Sequence, residues 1–62
     1  MLKLRVLVID DSPVIREMVK DTFIPEGFEV LEAANGEDAL KIAWEKHPDL
    51  IIADIKMPGI DG

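Results

Sequence analysis

The sequence predicts an α/β fold of order β-α-β-α-β, with a parallel three-stranded sheet ordered 2-1-3 and one helix on each face. Three observations predict it. Two short apolar runs, Val6-Leu7-Val8-Ile9 and Leu50-Ile51-Ile52-Ala53, carry no charge and read as strands, the first of them buried on both faces. Between them lie two stretches with apolar residues at helical spacing, each bounded by turn residues. The remaining strand, Phe28 to Ala33, is interrupted by Glu29 and Glu32, so it belongs at an edge where its glutamates reach water. Strands alternating with helices make a parallel sheet with right-handed crossovers, and the uniformly apolar first strand takes the centre.

Each element has local support. After the first strand, Asp10-Asp11-Ser12-Pro13 punctuates the chain: Ser12 is a good N-cap and Pro13 suits the first helical position. Val14, Ile15, Met18, Val19, Thr22 and Phe23 follow at helical spacing, with Arg16, Glu17, Lys20 and Asp21 on the other side. Pro25-Glu26-Gly27 ends that helix. Asn35-Gly36 opens the second, which carries Ala39, Leu40, Ala43 and Trp44 on its expected buried face, and His47-Pro48 closes it. Trp44 is assigned to the core and His47 to the helix C-terminus. Met57-Pro58-Gly59 reads as a tight turn after the third strand. No linker, repeat or low-complexity tract interrupts the 62 residues, which form one domain at most.

Composition narrows the function classes. A net charge of −6, with Lys3, Arg5, Arg16, Lys20, Lys41, Lys46 and Lys56 scattered, argues against a nucleic-acid surface. No apolar stretch approaches a membrane span, and the N-terminus lacks the order of a signal peptide, so a soluble cytoplasmic protein is expected. The absence of cysteine removes disulfide and Cys-based zinc staples.

Chemistry concentrates at the strand tips. Ligands of open α/β sheets bind at the carboxyl ends of the strands, where the strand order reverses, and here that is between the first and third strands. Asp10 and Asp11 end the first strand and Asp54 ends the third. Two unit charges about 5 Å apart repel by about 3 kcal/mol at an effective dielectric of 20. That rivals the whole stability expected of so small a core, about 3–5 kcal/mol. A hard divalent ion removes the conflict, and an all-oxygen site suits Mg²⁺. Beside such an ion Asp54 can act as a nucleophile, because carboxylates form aspartyl-phosphates. Taken singly, Asp10-Asp11 reads equally well as a helix cap or solubilising loop acids, and Asp54 reads more readily so.

The stretches VLVIDDSPVIRE, AANGEDAL and PDLIIADIKMPGIDG resemble the first half of a response-regulator receiver domain of two-component signalling, chemotaxis receivers among them. The resemblance covers essentially the whole chain and implies half of a flavodoxin-like doubly wound fold. It implies that Asp54 is the phosphoacceptor, that Asp11 ligates Mg²⁺ directly, and that Asp10 acts mainly through water. Asp54 itself and the backbone carbonyl of Lys56 are the remaining protein ligands it implies. The implied partner is a sensor histidine kinase, and the chain is a phosphoacceptor rather than an enzyme. A complete receiver continues for about as long again, with the hydroxyl residue and the lysine that attend the phosphate. Residues 1–62 are therefore expected to be a partial receiver, ending before the third helix and incompetent in signalling.

Two further classes stay open beside the phosphoacceptor. One is a metal-binding or interaction module that keeps the pocket without the switch. The other is an inert half-fold that self-associates, with at most weak Mg²⁺ binding. Self-association is expected on its own grounds: the third strand offers an apolar edge with unpaired backbone groups, which recruits another chain. A two-fold homodimer through that edge is the expected form.

Overall fold

The computed structural model describes residues 3–53. Five elements and a short helical turn follow in the expected order: β1 (Arg5–Ile9), α1 (Pro13–Phe23), a 3₁₀ turn (Ile24–Glu26), β2 (Glu29–Ala33), α2 (Gly36–Lys46) and β3 (Leu50–Ala53). The sheet is parallel, in the order β2-β1-β3. Val8 of β1 stands opposite Glu32 on one side and Ile52 on the other.

The central position of β1 follows from its composition. Val6, Leu7 and Val8 are fully buried, and they are the largest side chains in the described residues to be so. Because side chains alternate along a strand, β1 feeds two layers. Leu7 packs with Ala33 of β2 and Ala39 of α2, joined by Ile9, Leu31, Ile42 and Ala43. Val8 faces the other way and lines a groove with Ile52 of β3 and with Ile15 and Val19 of α1.

Helix ends are set by the residues that the sequence offers. Ser12 caps α1, its Oγ accepting from the Ile15 amide, and Pro13 occupies the first turn. Asn35 caps α2, its Oδ1 accepting from the Asp38 amide at 2.8 Å, with Glu37 and Asp38 favourably placed near the positive end of the helix. The 3₁₀ turn closes on Gly27, whose φ of 93° lies in the left-handed region that a Cβ disfavours. Phe23 and Phe28 bracket that turn edge to face, centroids 5.3 Å apart. His47 takes the left-handed position after α2, its amide donating to the Ala43 carbonyl.

Arg5 ties the amino-terminal end of the sheet together. Its backbone exchanges hydrogen bonds with Asp49: the Arg5 amide donates to Oδ2 at 2.8 Å, and the Asp49 amide donates to the Arg5 carbonyl at 2.8 Å. Its guanidinium reaches Glu29 Oε1 at 3.3 Å and the Lys46 carbonyl at the end of α2. A cation there also meets the negative end of the helix dipole.

Two assignments of burial need correction. Leu40 and Trp44 are 63% and 76% exposed, not core. The face that α2 turns to the sheet is Ala39, Ile42 and Ala43. Leu40 and Trp44 stand one turn apart on the neighbouring stripe, which nothing among the described residues covers. A similar divergence holds for α1, of which no residue is fully buried. Val14, Ile15 and Met18 are exposed, whereas Arg16 and Lys20, assigned to the far side, are half-buried and reach β2.

Candidate functional site

Asp10 leaves β1 at the carboxyl edge of the sheet and is only 7% exposed. Three contacts hold it. Its amide donates to the Ala33 carbonyl of β2 at 3.0 Å. Its Oδ1 accepts from the Ser12 amide at 2.9 Å, so one carboxylate oxygen is committed to the turn that starts α1. Its carbonyl oxygen accepts from Arg16 Nη1 at 2.6 Å. Asp11 follows, exposed. The pair thus consists of one buried, anchored carboxylate and one exposed carboxylate.

The third strand ends beside this tip. Ala53 is paired with Ile9, and Asp10 and Asp54 are the residues that follow these two in sequence. Asp54 and Lys56 themselves, assigned to the site from the sequence, lie outside the described residues. A groove lined by Val8, Asp10, Ile15, Val19, Ile52 and Ala53 runs along the α1 face up to the tip.

The donor chemistry fits a hard divalent ion in part. Asp10 and Asp11 supply carboxylate oxygens, the ligand type of Mg²⁺. Among the described residues no group of three or more His, Cys, Asp or Glu side chains could hold a metal by itself. The described pair would need further oxygen donors to hold such an ion.

A charge network beside the tip was not legible as functional. Arg16 donates to Glu32 Oε1 at 3.1 Å through Nε, while Lys20, one turn further along α1, approaches Glu32 Oε2 at 3.1 Å and Glu17 at 3.6 Å. The hydrogen bond from Lys20 is the main cause that holds the Glu32 carboxyl below its ordinary range, with Arg16 helping against partial burial. The same bond to Glu32 holds the Lys20 ammonium above its ordinary value, with the charge of Glu17 adding to it. The available signal was spacing: a helical side chain leans toward the helix N-terminus, so Arg16 points back toward Asp10.

Comparison with known proteins gives a consistent result. Residues 6–62 match the family model described as Response regulator receiver domain. The chain is 40% identical over 62 residues to Sporulation initiation phosphotransferase F of Bacillus subtilis, covering all of this chain and 50% of that protein. It is 46% identical over 59 residues to Chemotaxis protein CheY of Bacillus subtilis, covering 94% of this chain and 49% of that protein. Among solved structures, chemotaxis response regulator CheY4 of Vibrio cholerae superposes with a TM-score of 0.84 at 43% identity. That superposition covers 98% of this chain and 51% of CheY4. The chain spans about half the length of these relatives.

Proposed function

The chain belongs to the response regulator receiver domain family of two-component signalling, and on that premise we propose that Asp54 is its phosphoacceptor. The family typically binds Mg²⁺, implies a histidine kinase partner and is typically cytoplasmic. The observation that carries the reading is the tip: Asp10 is buried and anchored where β1 ends, and β3 ends beside it one residue before Asp54. In this reading a carboxylate oxygen of Asp54 attacks phosphorus, forming the O–P bond as the bond to the donor's leaving group breaks. Asp10, Asp11, Asp54 and the Lys56 carbonyl would hold the ion, Asp10 mainly through water. Once bound, Mg²⁺ neutralises charge on the phosphoryl oxygens. The chain's own acids would supply the acceptor and the carboxylate ligands.

Acetyl phosphate with Mg²⁺, followed by intact-mass spectrometry, tests the assignment. One added phosphoryl group is expected, absent from Asp54→Asn. Equal modification of Asp54→Asn would refute the assignment.

Metal binding is checked separately by thermal melts in Mg²⁺ and in EDTA. Binding to the folded state at tenfold excess over Kd stabilises by about 1.4 kcal/mol. Asp54→Asn should melt higher than the unsubstituted chain in EDTA, because repulsion at the tip is relieved, and should gain less from Mg²⁺. Superimposable melts of the unsubstituted chain would count against an ion at the tip.

A second property, self-association, is favoured by a specific observation. β3 has a strand neighbour on one side only among the described residues, and Leu50 and Ile51 are largely exposed on it. A second copy adding its own β3 antiparallel would continue the sheet to six strands around a two-fold axis. The two acidic tips would then point in opposite directions and stay separate.

A further inference from the structure

The acidic tip is braced from outside by a residue that supplies no ligand. Arg16 is held at both ends of its fork: Nη1 donates to the Asp10 carbonyl at 2.6 Å and Nε to Glu32 Oε1 at 3.1 Å. Its side chain is only 18% exposed. Glu32 in turn is fixed on its other oxygen by Lys20. A guanidinium with both contacts satisfied therefore joins the end of β1, the first turns of α1 and the edge strand β2.

The Asp10 carbonyl is a consequential place to hold. It belongs to the planar peptide unit joining Asp10 to Asp11, so fixing its direction also fixes the Asp11 amide and limits where both side chains can project. The other two contacts of Asp10, to Ala33 and Ser12, hold its amide and its carboxylate but not this plane.

We infer that Arg16 is a positioning residue for divalent-cation binding: it locks the Asp10–Asp11 peptide plane and so orients the two carboxylates toward the ion. This rests on the Mg²⁺ reading above. As a nearby cation, Arg16 should weaken binding of another cation by repulsion. If it positions, removing it weakens binding instead.

Two substitutions separate these effects. Arg16→Met removes the charge and the fork. Arg16→Lys keeps the charge but replaces the planar fork with a single ammonium that cannot serve both partners in the same way. Mg²⁺ affinity is read from NMR titration of the Asp10 and Asp11 amides, with metal-free melts as a control for folding. Both variants are expected to bind about 10-fold more weakly or worse, the usual cost of losing an outer-shell partner. Tighter binding by Arg16→Met, or unchanged binding by Arg16→Lys, would overturn the inference. A measurement on the unsubstituted chain guards against variants that do not fold: the Arg16 guanidinium protons should exchange slowly with water, and free exchange would overturn the brace. If the unsubstituted chain takes no Mg²⁺, the metal reading and this inference fall together. If it binds normally and Arg16→Lys changes nothing, only the inference falls.

Discussion

Leu7→Ala is expected to leave the chain largely unfolded at 25 °C. Leu7 is fully buried in the middle of the central strand and packs with Ala33 of β2 and Ala39 of α2. Truncating a buried leucine to alanine removes the transfer energy of its methyl groups and leaves a cavity, at a cost of about 2–5 kcal/mol. A core of this size supplies about 3–5 kcal/mol in total. Five hydrophobic residues form the fully buried set among the described residues, so few others can close over the gap. Circular dichroism melts decide the matter, with Leu40→Ala as the control. Leu40 is 63% exposed, and its loss should change stability by about 0.5 kcal/mol or less. A cooperative Leu7→Ala melt near the unsubstituted midpoint would show that β1 is not the keystone of the core.

Ile52→Lys should convert a self-associated chain to monomer. Ile52 lies on the α1 face of β3, opposite Val8, and is half-buried in the groove beside Ile15 and Val19. In an antiparallel β3 pair around a two-fold axis, each Ile52 sits near the seam, and lysine would put two like charges there. Like charges directly across strands are destabilising, and an inward-pointing lysine is the device natural edge strands use to prevent such pairing. Sedimentation equilibrium at micromolar concentration is expected to report dimer for the unsubstituted chain and monomer for the variant. A stably folded monomer in both cases would remove the β3 edge as an interface. An exchanged helix or strand would instead show as a dimer that survives the substitution.

The sequence carried the element plan because each boundary is chemically local. Ser12 and Asn35 cap the helices that they were read to cap, and β3 spans the uncharged run Leu50 to Ala53. Glu29 and Glu32 marked the edge strand, and the sheet order followed from them. Burial was legible only where a residue's neighbours lie within the chain. Helical spacing shows which residues share a stripe, but not whether anything covers it. Hence Trp44 and Leu40 read as core and stand in solvent, while smaller Ala39 and Ala43 meet the sheet. Arg16 was hidden for the opposite reason. On a helical projection it joins Glu17 and Lys20 as a charged face, and only the third dimension brings it to Asp10 and Glu32. Of the candidate site, Asp10 and Asp11 were placed at the tip as expected, and Asp54 and Lys56 fall outside the described residues.

The clamp at Arg5 has a consequence for synthesis. Arg5 leaves the ribosome first, and its partners Glu29, Lys46 and Asp49 follow 24, 41 and 44 residues later. At translation rates of roughly 5–20 residues per second, the last of them lags by roughly 2–9 s. Helices form in about a microsecond, so during that wait α1 can come and go many times while β1 has no finished sheet to enter. The nascent chain therefore carries the uncharged apolar run Val6-Leu7-Val8-Ile9 without its finished sheet for seconds. What flanks that segment is charge: Arg5 on one side, Asp10 and Asp11 on the other. Charged residues at the borders of an unavoidable hydrophobic strand act as gatekeepers against intermolecular pairing. Before they close the sheet or flank its acidic tip, Arg5, Asp10 and Asp11 stand where such gatekeepers act.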